Sequence, residues 1–223
     1  MKKIFSSLPV KLLIGIVIGI IFGQIFPENV MSVVVPLKNI LGQVINFVVP
    51  LIVIGFIAPS ITKLGNNASR MLGVALMVAY TSSVLAALLS MGAGYAIIPN
   101  LPVVSEIEGL KELPEDVFGL TIPQIMNVMS ALAFSILIGL AAIWTKAKTI
   151  ITILDEFQNI VLAIVSKIII PILPVFIAFT FTCLSYDGTI TKQLPVFVSA
   201  VVIVMIGHYI WLTVLYVVAG VYS

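Results

Sequence analysis

Long apolar runs alternate with short polar segments along the whole chain. Five runs carry no Lys, Arg, Asp or Glu, and a sixth is interrupted only by Lys167. A helix needs about 20 apolar residues, at about 1.5 Å each, to cross the hydrocarbon of a bilayer, so these runs predict membrane-spanning helices. The first covers Leu12 to Phe26, after Lys2, Lys3 and Lys11 and before Pro27-Glu28-Asn29. Its start resembles a signal peptide. Gly23-Gln24-Ile25-Phe26 offers no small-x-small cleavage site, however, and further runs follow, which predicts an uncleaved helix. The second runs from Asn39 to about Ile61 with Pro50 inside it, the third from Met71 to Ile98, and the fourth from Val117 to Thr145. The fifth starts near Phe157 and ends before Asp187, and the sixth extends from about Leu194 to Tyr222. The expected fold class is an all-α integral membrane protein with six transmembrane helices.

Composition sharpens this. The chain has 223 residues, 61% of them hydrophobic and 9% charged, too few polar side chains to cover a water-facing surface. A soluble globular domain, a disordered chain and a nucleic-acid binder are excluded. The net charge of +2 marks no anionic partner, and the single cysteine, Cys183, can close no disulfide within the chain. Cations then set direction. With the N-terminus cytoplasmic, Lys2, Lys3, Lys11, Lys63, Arg70, Lys146 and Lys148 fall inside; Lys38, Lys111 and Lys192 fall outside. The acidic group Glu106, Glu108, Glu112, Glu115 and Asp116 then occupies an outer loop, expected to be solvated. The last residue, Ser223, directly follows a span with no polar or basic tail, which predicts that the sequence continues.

Ionisable groups inside lipid are costly, and each is a candidate for function. Only Lys167 and His208 lie within spans, and Asp155, Glu156 and Asp187 are expected at span ends. Lys167 is suited to snorkelling towards a lipid phosphate. His208 is either a packed histidine bonded to a neighbouring helix or a proton carrier. Gly15, Gly19 and Gly23, four residues apart, predict a flat face for close helix packing. Pro50, Pro171 and Pro174 predict bends. The third span carries Tyr80-Thr81-Ser82-Ser83, followed by Ala86, Ala87, Ser90, Gly92 and Gly94. Hydroxyl oxygens are hard ligands that suit a desolvated alkali cation; equally, Thr and Ser can bond back to carbonyls of the preceding turn.

The order of these features resembles the N-terminal half of the glutamate-transporter family, the dicarboxylate/amino acid:cation symporters. The resemblance covers essentially the whole chain. It rests on the Gly15, Gly19, Gly23 ladder, on Val49-Pro50-Leu51-Ile52-Val53 with Gly55 and Leu64-Gly65, and on the Thr81-Ser82 pair. It continues through Phe134-Ser135-Ile136-Leu137-Ile138-Gly139-Leu140-Ala141 and through Lys167 followed by Pro174-Val175-Phe176. Two places depart from the family pattern. Val78 stands where a tyrosine is frequent, and Thr121-Ile122-Pro123-Gln124 replaces a Pro-x-Asn entry, which suggests a divergent branch.

The resemblance implies a fold of eight transmembrane segments and two re-entrant hairpins, working as an elevator. Residues 1–70 and 117–187 would be scaffold helices that assemble a homotrimer, and residues 71–98 and 192–223 would belong to a mobile transport domain. It also implies cation-coupled symport of dicarboxylates or amino acids, with Thr81 and Ser82 coordinating sodium, and a place in the inner or plasma membrane. Sodium or a proton would be the coupling ion, and no cofactor or catalytic residue is expected. The substrate-binding hairpins and last two helices lie outside these residues. The alternative is a scaffold-only half-transporter that oligomerises or modulates without transporting. A membrane hydrolase would need His208 beside Ser130 or Ser199, and no motif places them together.

Overall fold

The computed structural model describes residues 7–97, 110–115 and 119–222. Every regular element among them is helical: α1 (Leu8–Ile25), α2 (Glu28–Lys63), α3 (Ala68–Ile97), α4 (Val128–Trp144), α5 (Lys148–Ile164), α6 (Ile170–Tyr186) and α7 (Thr189–Tyr222). Five helical stretches are long and apolar enough to cross a membrane, α5 and α6 counting together as Lys148–Tyr186. The fourth expected span is shorter. α4 has 17 residues, about 26 Å of helix against about 30 Å of hydrocarbon.

Boundaries move for local reasons. The second helix begins not at Asn39 but at Glu28, and its 36 residues run unbroken through Pro36, Pro50 and Pro59. Residues 119–127 are non-helical, although they lay inside the expected fourth span. Gly119 takes a left-handed φ of 52°, Pro123 biases the residue before it to extended backbone, and Asn127 starts α4 by accepting the Met129 amide at 2.9 Å. The fifth span is longer than expected: its helix starts at Lys148, so Asp155 and Glu156 lie within it rather than at an end. A π turn, Val165–Ile169, joins α5 to α6, with the Ile170 N–H reaching the Val165 carbonyl. It lies just before Pro171, which has no N–H to give the carbonyl four residues earlier.

The chain separates into two compact units. Unit 1 comprises residues 1–73 and 111–187; unit 2 comprises residues 74–110 and 188–223. In unit 1 the glycine ladder meets α6 in parallel register. A Cβ on Gly15 would lie 2.8 Å from the Pro174 carbonyl oxygen, and Gly19 and Gly23 sit tighter still against the Ala178 and Thr182 carbonyls. The Ser185 hydroxyl donates to the Ile20 carbonyl at 2.8 Å along the same seam. Gly55 receives Val161 of α5, and Gly139 of α4 receives Ile61 of α2. A core of Met31, Val34, Val35 and Cys183 is covered by Phe26, Leu113, Phe179 and Tyr186.

The non-helical entry to α4 is fixed by one side chain of α2. The Gln43 amide donates to the Leu120 carbonyl at 2.8 Å and accepts the Ile122 N–H through its oxygen. Both functions of a primary amide are thus used on extended backbone that has no sheet to pair with. Unit 2 consists of the rest of α3 with α7, and its Val, Ile, Met and Tyr side chains are mostly exposed within the chain.

Candidate functional site

Thr81 and Ser82 lie on α3 within unit 2. Successive residues of a helix point about 100° apart, and the two hydroxyls diverge accordingly. Ser82 is half-buried and accepts a hydrogen bond from the Trp211 indole N–H of α7 at 3.2 Å. Thr81 is exposed, as is its neighbour Tyr80 at 74%.

Local back-bonding is widespread elsewhere in the chain. Ser60, Ser135, Thr145, Thr180, Thr182 and Thr213 each donate to the carbonyl four residues earlier, at 2.6 to 2.8 Å. Among the described residues, Thr81, Ser82 and Ser83 make no such bond. The Ser82 oxygen instead accepts the Trp211 indole N–H of α7.

From Ser82 the same face of α3 continues through Ala86, Ser90, Ala93 and Ile97, at helical spacing. Opposite them, α7 presents Ala200, Gly207, His208 and Trp211, and the two helices enclose an apolar groove of about 460 Å³. The small residues that follow Ser83 on α3 create space here. Trp211 is the contributor that sequence reasoning missed. It is 129 residues from Ser82, and no local pattern signals a contact at that separation.

The other candidates separate. His208 is exposed, with its ring edge-on to Tyr209 at 6.2 Å, and it bonds to no neighbouring helix among the described residues. Ser199 lies nine residues before it on α7, about 13 Å along the axis, so these two cannot form a nucleophile and base. Lys167 is exposed in the π turn. Glu112 and Glu115 are exposed in a non-helical segment, whereas Glu106, Glu108 and Asp116 lie outside the described residues. No group of His, Cys, Asp or Glu suited to a metal ion occurs among the described residues. The described part of unit 2 contains no carboxylate at all. Any cation there would be met by neutral oxygens.

Helices of this length and apolarity define a polytopic membrane protein. The model of the sodium:dicarboxylate symporter family matches residues 8–223, and the chain belongs to that family. Its members are transporters, not enzymes. No curated protein and no solved structure matches the chain.

Proposed function

We propose that the chain forms the N-terminal half of a sodium-coupled symporter for dicarboxylates or amino acids that works as an elevator. The family match over residues 8–223 carries this reading. In it, unit 1 is the fixed scaffold, assembling a homotrimer with its N-terminus in the cytoplasm, and unit 2 is the moving part. The division of the chain supports this. Residues 74–110 and 188–223 cluster apart from the remainder, near the boundaries expected for transport-domain helices. The close backbone seams of unit 1, made by Gly15, Gly19, Gly23, Gly55 and Gly139, suit a rigid element. Thr81 and Ser82 would each give a neutral oxygen to sodium, with the remaining ligands and the compensating charge supplied from outside the described residues.

The test is uptake of radiolabelled dicarboxylates and acidic amino acids by cells expressing the gene to its own stop codon, across a sodium titration. Thr81→Ala and Ser82→Ala should raise the sodium concentration for half-maximal uptake by about tenfold or more, the equivalent of one lost ligand at about 1.4 kcal/mol. Unchanged sodium dependence in both variants would remove these residues from the cation site. Absence of uptake for every substrate, with stable oligomers still formed, would favour the scaffold-only alternative.

A further inference from the structure

The end of unit 1 that carries the turn between α2 and α3 and the turn between α4 and α5 gathers features that converge on an anion. The Trp144 indole N–H donates to the Ser69 hydroxyl at 3.3 Å. This tie brings the end of α4, with Lys146 two residues further on, to the start of α3, where Arg70 follows Ser69. Lys148 then opens α5, its N–H bonded to the Lys146 carbonyl at 2.9 Å.

The charges here are unbalanced. Lys63 is engaged with Asp155 at 3.1 Å and with the Gln158 side-chain oxygen. Arg70, Lys146 and Lys148 have no acidic partner among the described residues. Glu156 lies eight residues into α5 from Lys148, about 12 Å along the axis. The N-terminus of α5 has neither a side-chain cap nor an acidic residue in its first turn, so its free amides and positive dipole end add to the same field.

Two observations point beyond a generic basic turn. Lys146 is the one non-glycine residue with positive φ among the described residues, at 54°. Glycine is the residue that such a helix-terminating turn favours, and a lysine there costs about 1 kcal/mol. A strained position occupied by a cation argues for a use of the side chain. Beside it, Trp144 is 67% exposed and Leu137, two helical turns earlier on the same face, is 65% exposed. That places an amphipathic indole below the cations and an apolar strip leading away from them.

We propose that Arg70, Lys146 and Lys148, with the α5 amide terminus, bind the phosphate of an anionic phospholipid whose acyl chain lies along Trp144 and Leu137. The apolar strip selects lipid over free phosphate. The inference requires only that unit 1 is membrane-embedded and is independent of the transport reading.

The test uses the protein reconstituted with every tryptophan except Trp144 replaced by phenylalanine, Trp211→Phe among them, in vesicles containing brominated phosphatidylglycerol or brominated phosphatidylcholine. Bromine quenches the indole where the lipid sits. Phosphatidylglycerol should be preferred severalfold, less so as salt rises, and each of Arg70→Gln, Lys146→Gly and Lys148→Gln should reduce the preference by up to about fivefold. Lys146→Gly keeps the turn and relieves its strain, so its loss of preference cannot be ascribed to misfolding. Equal quenching by the two lipids, or a preference that survives all three substitutions, would overturn the proposal. So would a preference abolished by excess inorganic phosphate at constant ionic strength, which would assign the site to the free anion.

Discussion

The seam between α1 and α6 gives the sharpest test of how unit 1 is held together. Replacing Gly19 by valine puts a Cβ 2.9 Å from the Phe181 Cβ and 3.1 Å from the Thr182 nitrogen, and closer still to the Ala178 carbonyl oxygen. Two of those three neighbours are backbone atoms, which no rotamer change can move aside. The helices must separate, and a radial gap of about 0.5–1 Å already forfeits about a quarter to a half of each dispersion contact along the seam. The Ser185 bond to the Ile20 carbonyl would stretch as well, losing about 1 kcal/mol. With about 1–3 kcal/mol for overpacking, the expected loss is about 2–4 kcal/mol. Gly73→Val is the matched control, since a Cβ on Gly73 meets nothing within 4 Å. Reversible unfolding in mixed micelles of rising SDS fraction, followed by far-UV circular dichroism, should show a large drop in midpoint for Gly19→Val and little change for Gly73→Val. Equal midpoints for Gly19→Val and the parent protein would show that the seam does not hold unit 1 together as argued.

Gln43→Leu should leave the Leu120 carbonyl and the Ile122 amide without their partner, destabilising unit 1 by about 1–3 kcal/mol. Hydrogen exchange at the Ile122 amide should accelerate in that variant, and protection equal to the parent's would count against the clamp. Lys146→Gly, which removes a non-glycine residue from positive φ, should stabilise the chain by about 0.5–1 kcal/mol; a lowered SDS midpoint would mean that the lysine side chain contributes more to folding than its backbone strain costs.

Much of this was legible in the sequence because it is local or strictly periodic. Charge-free runs announced the helices, since nothing else satisfies backbone groups in hydrocarbon. Four-residue glycine spacing announced a packing face. The order of weak motifs carried the family. Local pattern misplaced the beginnings of the second and fifth helices. Glu28-Asn29 and Lys148 through Glu156 are polar enough to resemble connectors, yet the helix ladder continues through them. Their polar residues need only leave the bilayer, not leave the helix.

What folding alone decided is which distant surfaces meet. The sequence made Gly19 a packing position, but only tertiary structure set it against Ala178 and Phe181. It marked Thr81 and Ser82 as possible ligands, but Trp211 on Ser82 depends on how two helices of unit 2 pack. The Gln43 clamp on Leu120 and Ile122 and the tie between Trp144 and Ser69 have no sequence signature. The physical reason is the same throughout. Hydrophobicity and backbone propensity act over a few residues and fix the elements. Side-chain hydrogen bonds and close contacts depend on relative helix positions, which the whole set of packed surfaces determines together.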